Sequence, residues 1–437
     1  MSKKYTIKQI LTSNQNWWNF YEKHKTTLRP AIPKTIVKLL SCRHNIRGYQ
    51  EYHCSNPACS HIKHVPFTCK GKGCSSCGKK ATELWIHKQH QILPLTSWQH
   101  ITFTIPSELW DFFWCNRHLL NQIAKCAANT LKKIAKKKKI ILGIFIAIHT
   151  FGRDLKRNVH IHVSVTNGGL SQDLSRWKNL FFKKSVLMPI WRYNVIALFR
   201  KTHRQNPLII PNAIQKELNP LFSFNHFLNK MYKKYWIVDC AKPSRDHKHN
   251  VTYLGGYVKR PPIAESKLRH YDGHEVTFSF LDHTSKTRQK MTLSAEEFIG
   301  RFVQHIPDIN FRMIRYYGFL ANRVRGKLLS LVHQLLGQKM SAPHPEPTYA
   351  QLLQKHFGVN PLLCILCGSA LVLSMVHFGL SSIHQLLQYH RELALLKKFP
   401  LEFHGITPSK IQCLFAFLSI SRVTLMLQQW LKKLKSI

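Results

Sequence analysis

Alternating apolar and polar side chains predict two strands that pair as a hairpin. In residues 158–165 the Val and Ile side chains lie on one face of the predicted strand. His160 and His162 therefore project together from the opposite face. Residues 141–149 alternate in the same way and end at His149. Because the connection is short, we expect an antiparallel hairpin in which His149 lies beside the other two histidines.

The rest of the periodicity predicts helices and strands around this hairpin. We expect a helical segment at 1–38, a strand at 100–105, a helix at 118–139, helices over 171–234, a strand at 236–240 and a helix beginning near Asn250. In that last helix Tyr253 and Tyr257 would present two hydroxyls from one face. The predicted fold is α/β (α+β): a mostly antiparallel sheet with packed helices, the histidine strand near its centre and the tyrosine helix across that face.

Composition shifts divide the chain into five segments. They are a helical segment at 1–38, a zinc-binding module at 39–90, a domain at 91–264 with the histidines and tyrosines, a basic extension at 265–335 and a mostly helical region at 336–437. The apolar run 361–376 is shorter than the ~20 residues that a membrane span needs, so we interpret it as buried core.

The charge balance indicates a polyanionic partner. The chain has 65 Lys and Arg against 20 Asp and Glu, a formal charge of +45 spread over its whole length. With 44% hydrophobic residues it is too apolar for a disordered basic tail, so we predict a folded nucleic-acid-binding protein. The run Lys136–Lys139 is either a solvated helix end or a phosphate contact. No leader-like segment opens the sequence, so we expect a cytoplasmic protein.

Six of the 12 cysteines lie between residues 42 and 77. Two close pairs, Cys54 with Cys59 and Cys74 with Cys77, predict one tetrahedral zinc site. Other residues in this segment could replace a ligand or build a second site: Cys42, Cys69, His44, His53, His61 and His64. Cys364 and Cys367 have no evident second pair, and we interpret them as structural or vestigial.

Three imidazoles would make a second kind of metal site. His149, His160 and His162 would leave coordination positions open for a phosphate oxygen and water. Asp154 in the hairpin loop is the alternative third ligand, and His149 could instead simply end its strand. The few carboxylates form no cluster, which argues against a nuclease built on acidic residues.

The order of these motifs resembles that of the two-tyrosine HUH transposases of bacterial rolling-circle insertion sequences. The resemblance covers most of residues 40–330. Beyond the cysteine module it is carried by the motifs His149-Thr150-Phe151-Gly152, His160-Ile161-His162, Gly168-Gly169, Tyr253-Leu254-Gly255-Gly256-Tyr257, Glu297-Phe298-Ile299 and Arg315-Tyr316-Tyr317-Gly318.

The resemblance implies a metal-dependent endonuclease and strand transferase in residues 91–264. Tyr253 and Tyr257 would be the nucleophiles, His160 and His162 would bind Mg²⁺ or Mn²⁺, and a 5′-phosphotyrosine would store the bond energy, so that no ATP is needed. The expected partner is single-stranded or hairpin DNA at transposon ends in the nucleoid, with no membrane involved. The expected DNA contacts are Lys259, Arg260, Arg315 and Arg323.

Two other functions fit part of the pattern. A rolling-circle replication initiator or a relaxase would share the same chemistry, but the cysteine module and the arginine-rich segment after the tyrosines favour a transposase. A non-catalytic zinc-ribbon protein would account for the charge and the cysteines, and would leave the histidines and tyrosines as ordinary sheet and core residues.

Overall fold

A computed structural model of the chain describes residues 5–216, 223–244, 251–252, 255, 261–282, 285–339 and 345–398. The chain divides into two compact units. The larger unit combines residues 1–35 with 70–361, and the smaller unit combines 36–69 with 362–437. The sequence-based boundaries differ from this division, because they place 36–69 and 362–437 in separate domains.

The helices, in chain order, are α1 (Ile7–Thr12), α2 (Asn16–His24), α3 (Ala31–Leu40), α4 (Ser75–Ile92), α5 (Phe112–Cys115), α6 (Leu119–Lys137), α7 (Lys184–Gln205), α8 (Asn212–Gln215), α9 (Phe224–Lys233), α10 (Ala295–Gln304), α11 (Asn322–Leu335), α12 (Tyr349–Phe357) and α13 (Ile383–Lys398). The strands are β1 (Gly48–Cys54), β2 (Ile62–Pro66), β3 (Trp98–Thr104), β4 (Ile140–Phe151), β5 (Arg157–Ser171), β6 (Trp177–Asn179), β7 (Val238–Cys240), β8 (Leu268–Tyr271), β9 (Glu275–Leu281), β10 (Arg288–Ser294), β11 (Ile314–Gly318) and β12 (Leu371–Phe378).

The main sheet of the larger unit has the order β11-β4-β5-β3-β7, and β6 pairs with β5. Its pairings are antiparallel, and β5 with the His-x-His motif lies between β4 and β3. One face of the β4–β5 hairpin carries the fully buried Ile144, Ile146 and Ile148. β-branched side chains favour this extended, tightly packed arrangement. The predicted hairpin and the central position of the histidine strand are confirmed.

Helix α6 covers the apolar face of this sheet. It buries Leu119, Ile123, Ala127 and Leu131, which are four residues apart and therefore share one face, while its lysines remain on the other face. The helix ends just before Lys138 and Lys139. This agrees with the predicted helix at 118–139.

A second antiparallel sheet of the larger unit has the order β10-β9-β8. The Ser294 hydroxyl caps helix α10 by accepting a hydrogen bond from the Glu297 amide, and Phe298 on that helix packs edge-on against Phe278 of β9. Helix α2 packs against α10, where Lys23 and Glu296 form an exposed ion pair of 2.7 Å. The predicted helical segment at the amino terminus is confirmed as α1 to α3.

The smaller unit holds an antiparallel sheet of order β12-β1-β2. Cys54 at the end of β1 is opposite Leu371 at the start of β12. Within this unit the Ser41 hydroxyl and His390 Nε2 are 2.8 Å apart, which ties the end of α3 to α13. Leu371 is the only buried residue of β12, so this sheet has a thin apolar core.

Two predicted elements are wrong in part. Residues 171–183 are not helical: β5 continues to Ser171, β6 follows, and the first long helix of that region begins at Lys184. The run 361–376 is not buried core, since Ile365 and Leu366 are 80% and 72% exposed and most of β12 faces solvent. None of the described helices is both long and apolar enough to span a membrane.

Candidate active site and metal centres

Three histidines converge on the polar face of the β4–β5 hairpin. Pairing in register places His149 opposite His160, and His162 lies one side-chain position further along the same face. A ligand nitrogen from each of the three lies within 4.8 Å of the others. His149 and His162 are buried, and His160 is half-buried. The predicted adjacency of His149 to the other two is confirmed, while its role as a metal ligand stays a prediction.

Neighbouring groups orient two of the imidazole rings. His160 Nδ1 lies 3.0 Å from the backbone oxygen and 3.1 Å from the side-chain oxygen of Asn158. Because both are acceptors, Nδ1 carries the proton and Nε2 keeps the lone pair that a metal needs. His162 Nδ1 lies 3.1 Å from Nε2 of the buried His100, which leaves Nε2 of His162 as its ligand atom.

Burial keeps His162 and its neighbour His100 neutral. Desolvation, assisted by His160 and His100, lowers the pKa of His162 well below its usual value. Desolvation also lowers the pKa of His100 to about 4, although Asp239 opposes the shift. A neutral imidazole is the form that binds a metal ion, so His162 is in its ligand form near neutral pH.

Asp154 does not join the three histidines. Its carboxylate stays in the hairpin loop, where Oδ1 accepts a hydrogen bond of 3.2 Å from the Lys156 amide. The group of possible ligands consists of His149, His160 and His162. The geometry therefore favours His149 over Asp154 as the third ligand.

The predicted nucleophiles Tyr253 and Tyr257 lie outside the described residues, as do Lys259 and Arg260. Parts of the same segment are described. Val251 is buried in one hydrophobic cluster with Trp85 of α4 and Phe145 of β4. The Gly255 carbonyl accepts a hydrogen bond of 3.3 Å from the Thr82 hydroxyl of α4. Phe145 and His149 lie four residues apart on β4, so they share a face of the sheet.

The remaining predicted DNA contacts lie on the larger unit. Arg315 on β11 donates to the side chain of Asn121 and lies over the Phe311 ring, 5.8 Å from its centroid. Arg315 and Arg117 both line a cleft of about 410 Å³. Its other lining residues include polar and apolar side chains. Arg323 is exposed on α11.

Four cysteines of the smaller unit form a second candidate metal centre. Sulfur atoms of Cys54, Cys59, Cys364 and Cys367 all lie within 4.8 Å of one another. The predicted set of Cys54, Cys59, Cys74 and Cys77 is therefore wrong, because Cys54 and Cys59 have different partners.

The other four cysteines of the amino-terminal segment lie two in each unit. In the smaller unit Cys69 donates its backbone N–H to Cys42 Sγ at 3.4 Å. In the larger unit Cys74 precedes α4 and Cys77 lies in its first turn, where the Gly78 amide donates to the Cys74 carbonyl at 2.7 Å. A second zinc site built from them stays a prediction of the sequence.

Sequence reasoning missed His100 and the roles of Cys364 and Cys367. The alternation of side chains places His100 on a strand, but no pattern near it in the sequence indicates that β3 pairs with β5 beside His162. The spacing of Cys364 and Cys367 was the available signal, because two cysteines separated by two residues are typical of a zinc knuckle.

Comparison with known proteins identifies the family of the chain. A family model described as "Putative transposase" matches residues 143–327, and one described as "Transposase zinc-binding domain" matches residues 13–105. The chain is 37% identical over 385 residues to the transposase for insertion sequence element IS801 of Pseudomonas savastanoi pv. phaseolicola, covering 87% of this chain and 93% of that one.

A second relative, "Putative transposase y4qJ" of Sinorhizobium fredii (strain NBRC 101917 / NGR234), is 29% identical over 339 residues, covering 76% of this chain and 84% of that one. No solved structure matches the chain. The first family model spans all three clustered histidines, and the second spans the amino-terminal cysteines. The chain therefore belongs to the family of insertion-sequence transposases that carry a zinc-binding domain.

Proposed function

We propose that this transposase cleaves and rejoins single-stranded DNA through a covalent phosphotyrosine, with Tyr253 and Tyr257 as its nucleophiles. The observation that carries the proposal is the convergence of His149, His160 and His162 on one polar face of the central sheet. Three clustered imidazoles, two of them with rings oriented by hydrogen bonds, suit a divalent cation better than a general acid.

The donor set fits a catalytic divalent cation. The printed contacts of His160 and His162 engage each ring through Nδ1, which assigns Nε2 as the ligand atom of both. When bound, Mg²⁺ or Mn²⁺ would polarise the scissile phosphate, and nitrogen ligands favour Mn²⁺. Asn158 and His100 hold the rings in place whether or not an ion is bound.

The chemistry on the protein side is a transfer of the DNA 5′-phosphate to tyrosine. The phenol oxygen forms a bond to phosphorus, the bond from phosphorus to the 3′ oxygen breaks, and that oxygen leaves as a free 3′-OH after taking up a proton. A phenol has a reference pKa of ~10, so it needs help near neutral pH. The phosphotyrosine keeps the energy of the cleaved phosphodiester bond, so rejoining requires no ATP. The second tyrosine allows a second strand to be cleaved while the first strand remains attached.

The packing of the tyrosine segment supports this assignment. Gly255 lies midway between Tyr253 and Tyr257, and it is held against α4 by its contact with Thr82. Val251 packs with Phe145, which is on the same sheet face as His149. Val251 and Gly255 are thus both packed near α4, whose Trp85 contacts Phe145 edge-on.

The charge distribution supports DNA as the substrate. We assign Lys259, Arg260, Arg315 and Arg323 as backbone contacts, and we expect binding in the cytoplasm, at the nucleoid. Each phosphate contact on a single strand should contribute a log–log salt slope of ~0.7. Single-stranded or hairpin ends should react faster than linear duplex, because unpaired bases can stack on aromatic side chains and the strand can enter the site.

The test uses labelled single strands and hairpins that carry the DNA flanking the gene. We expect a covalent protein–DNA adduct on denaturing gels with Mn²⁺, and none in EDTA. Tyr253→Phe combined with Tyr257→Phe should remove the adduct and leave DNA binding intact. Tyr235→Phe is the matched control, since that side chain is 81% exposed and has no role in the proposal.

Three outcomes would contradict the proposal. A normal adduct in the double tyrosine variant would remove Tyr253 and Tyr257 from the reaction. Equal cleavage of linear duplex and single strand, or an adduct formed in EDTA by the wild-type protein, would argue against metal-assisted attack on an unpaired strand.

A further inference from the structure

Two turns of the smaller unit each present a pair of cysteines. In the first, the Cys59 amide donates to the Asn56 carbonyl at 2.9 Å, which closes a tight turn after Cys54. In the second, the Gly368 amide donates to the Cys364 carbonyl at 2.9 Å, and Gly368 adopts a φ of +73°, a conformation that favours glycine. Both are knuckle-like turns that bring two sulfurs close together.

The four sulfurs have the spacing of a tetrahedral thiolate site. Cys54 Sγ lies 3.3 Å from Cys367 Sγ, and Cys59 Sγ lies 3.7 Å from Cys364 Sγ. Zinc–sulfur bonds of ~2.3 Å in a regular tetrahedron place sulfurs ~3.8 Å apart. All four cysteines are free, and separations of 3.3 Å and 3.7 Å are far longer than a disulfide bond of ~2.05 Å.

Backbone pairing holds the two turns together. Cys54 is opposite Leu371 in the β1–β12 ladder, and the Ser55 amide donates to the Ala370 carbonyl at 2.9 Å. His61 Nδ1 lies 3.1 Å from Cys364 Sγ, where it can donate a hydrogen bond to a thiolate. The site is therefore fixed by both ends of the smaller unit.

We propose that Cys54, Cys59, Cys364 and Cys367 bind one structural zinc ion, so that the carboxyl-terminal segment completes the zinc-binding module of this transposase. The matching zinc-binding family model ends at residue 105 and leaves Cys364 and Cys367 outside it. A bound zinc would stabilise a three-stranded sheet whose β12 buries only Leu371. The proposal does not depend on the tyrosine chemistry.

One consequence is a physical link between distant parts of the sequence. Residues 48–66 and 371–378 form one sheet, and the ion would join them at the end where β1 and β12 meet. A chain that ends before Cys364 would lack two of the four ligands. We therefore expect such a truncation to impair the amino-terminal zinc module as well as the carboxyl-terminal region.

The experiment measures zinc in purified full-length protein. The double variants Cys364→Ser/Cys367→Ser and Cys54→Ser/Cys59→Ser should each lose one zinc per chain relative to wild type. The quadruple variant should lose no more than either double variant. Cys115→Ser/Cys126→Ser is the matched control, because neither residue belongs to this group, and it should keep the wild-type content.

The proposal is overturned if Cys364→Ser/Cys367→Ser keeps the wild-type zinc content, or if the losses of the two double variants add in the quadruple variant. Alkylation of the wild-type chain, read by mass spectrometry, tests the same point without any substitution. All four thiols should be protected with zinc bound and become reactive together after chelation, whereas the exposed Cys115 should react in both states. Equal reactivity of Cys364 and Cys367 before and after chelation would also overturn it.

Discussion

His149 and His160 lie opposite each other across the β4–β5 hairpin, paired in register, with ring centroids 5.1 Å apart. His162 completes the group, with ring centroids 4.6 Å from His149 and 4.9 Å from His160. Two residues on one strand and one on the next are thus held by backbone hydrogen bonds rather than by a flexible loop. A site on paired strands can keep its ligand geometry before a metal ion arrives.

Substitution of a clustered histidine should impair metal-dependent cleavage. His149→Ala, His160→Ala or His162→Ala would remove one of the three proposed nitrogen ligands, and we expect adduct formation at low Mn²⁺ to fall by more than ~100-fold. A higher Mn²⁺ concentration should restore part of the activity by mass action. The measurement is the initial rate of adduct formation across a Mn²⁺ series.

Asp154→Ala is the matched comparison for His149→Ala, because the sequence makes both residues candidates for the third ligand. We expect Asp154→Ala to react at close to the wild-type rate, since its carboxylate is used within the hairpin loop. An inactive Asp154→Ala beside a fully active His149→Ala would reverse the assignment.

His100 should act as a positioning residue for His162. Its Nε2 lies 3.1 Å from His162 Nδ1, so it fixes the ring that presents Nε2 to the metal. We expect His100→Ala to raise the half-saturating Mn²⁺ concentration by ~10- to 100-fold and to leave the rate at saturating Mn²⁺ little changed. His100→Gln, which retains a polar side chain, should show a smaller shift. A fall in the saturating rate without a change in half-saturation would indicate a purely structural role.

The candidate active site was predictable from the sequence because its signal is local. Alternation with a period of two residues fixes which face a strand residue occupies, and a short loop fixes which strand is its partner. These two local rules are sufficient to place His149, His160 and His162 side by side. The same reasoning could not find His100, since β3 and β5 are far apart along the chain.

The candidate zinc ligands show where local spacing fails. Cys54 and Cys59 have their partners in Cys364 and Cys367, and no periodicity connects positions that are so distant in the sequence. The extension of β5 past residue 165 was also missed. At Gly168, with a φ of +152°, a Cβ would come within 2.7 Å of the Trp177 ring, so glycine allows the close approach of β6.

A side chain at Gly255 should disturb the tyrosine segment. A Cβ there would come 2.7 Å from Ile86 Cγ1 and 3.3 Å from the Trp85 ring, which would push the segment away from α4. We expect Gly255→Ala to slow adduct formation by ~10- to 100-fold while DNA affinity stays the same, because catalysis is sensitive to displacements of about 1 Å. The measurement is single-turnover adduct formation beside a binding titration.

The chain offers both a control and a rescue for this substitution. Gly326→Ala adds a methyl group on α11 with no atom within 4 Å, so it should leave the rate unchanged. Combining Gly255→Ala with Ile86→Ala removes the nearest obstacle and should restore most of the rate. If the combined variant is as slow as Gly255→Ala alone, contact with Ile86 is not the cause of the defect.

Buried histidines should make the larger unit less stable in mild acid. Burial is the main cause that lowers the pKa of His305 to about 3, while hydrogen bonding to the Leu155 carbonyl opposes the shift. The usual pKa in an unfolded chain is ~6.5, so below that pH the unfolded state takes up a proton that the folded state does not. The stabilisation from the neutral ring is therefore complete above about pH 6.5 and is lost progressively as the pH falls toward 3.

Lowering the pH from 7.5 to 5.5 should reduce the free energy of unfolding by about 1.4 kcal/mol through the protonation of His305 in the unfolded chain. His305→Gln removes the titrating ring but keeps a polar side chain that can reach the Leu155 carbonyl. We expect denaturant unfolding of this variant to depend on pH less than the wild type by about that amount. His274→Gln, at an exposed position, should keep the wild-type dependence. An unchanged pH dependence in His305→Gln would mean that the imidazole is protonated as readily in the folded chain as in the unfolded one.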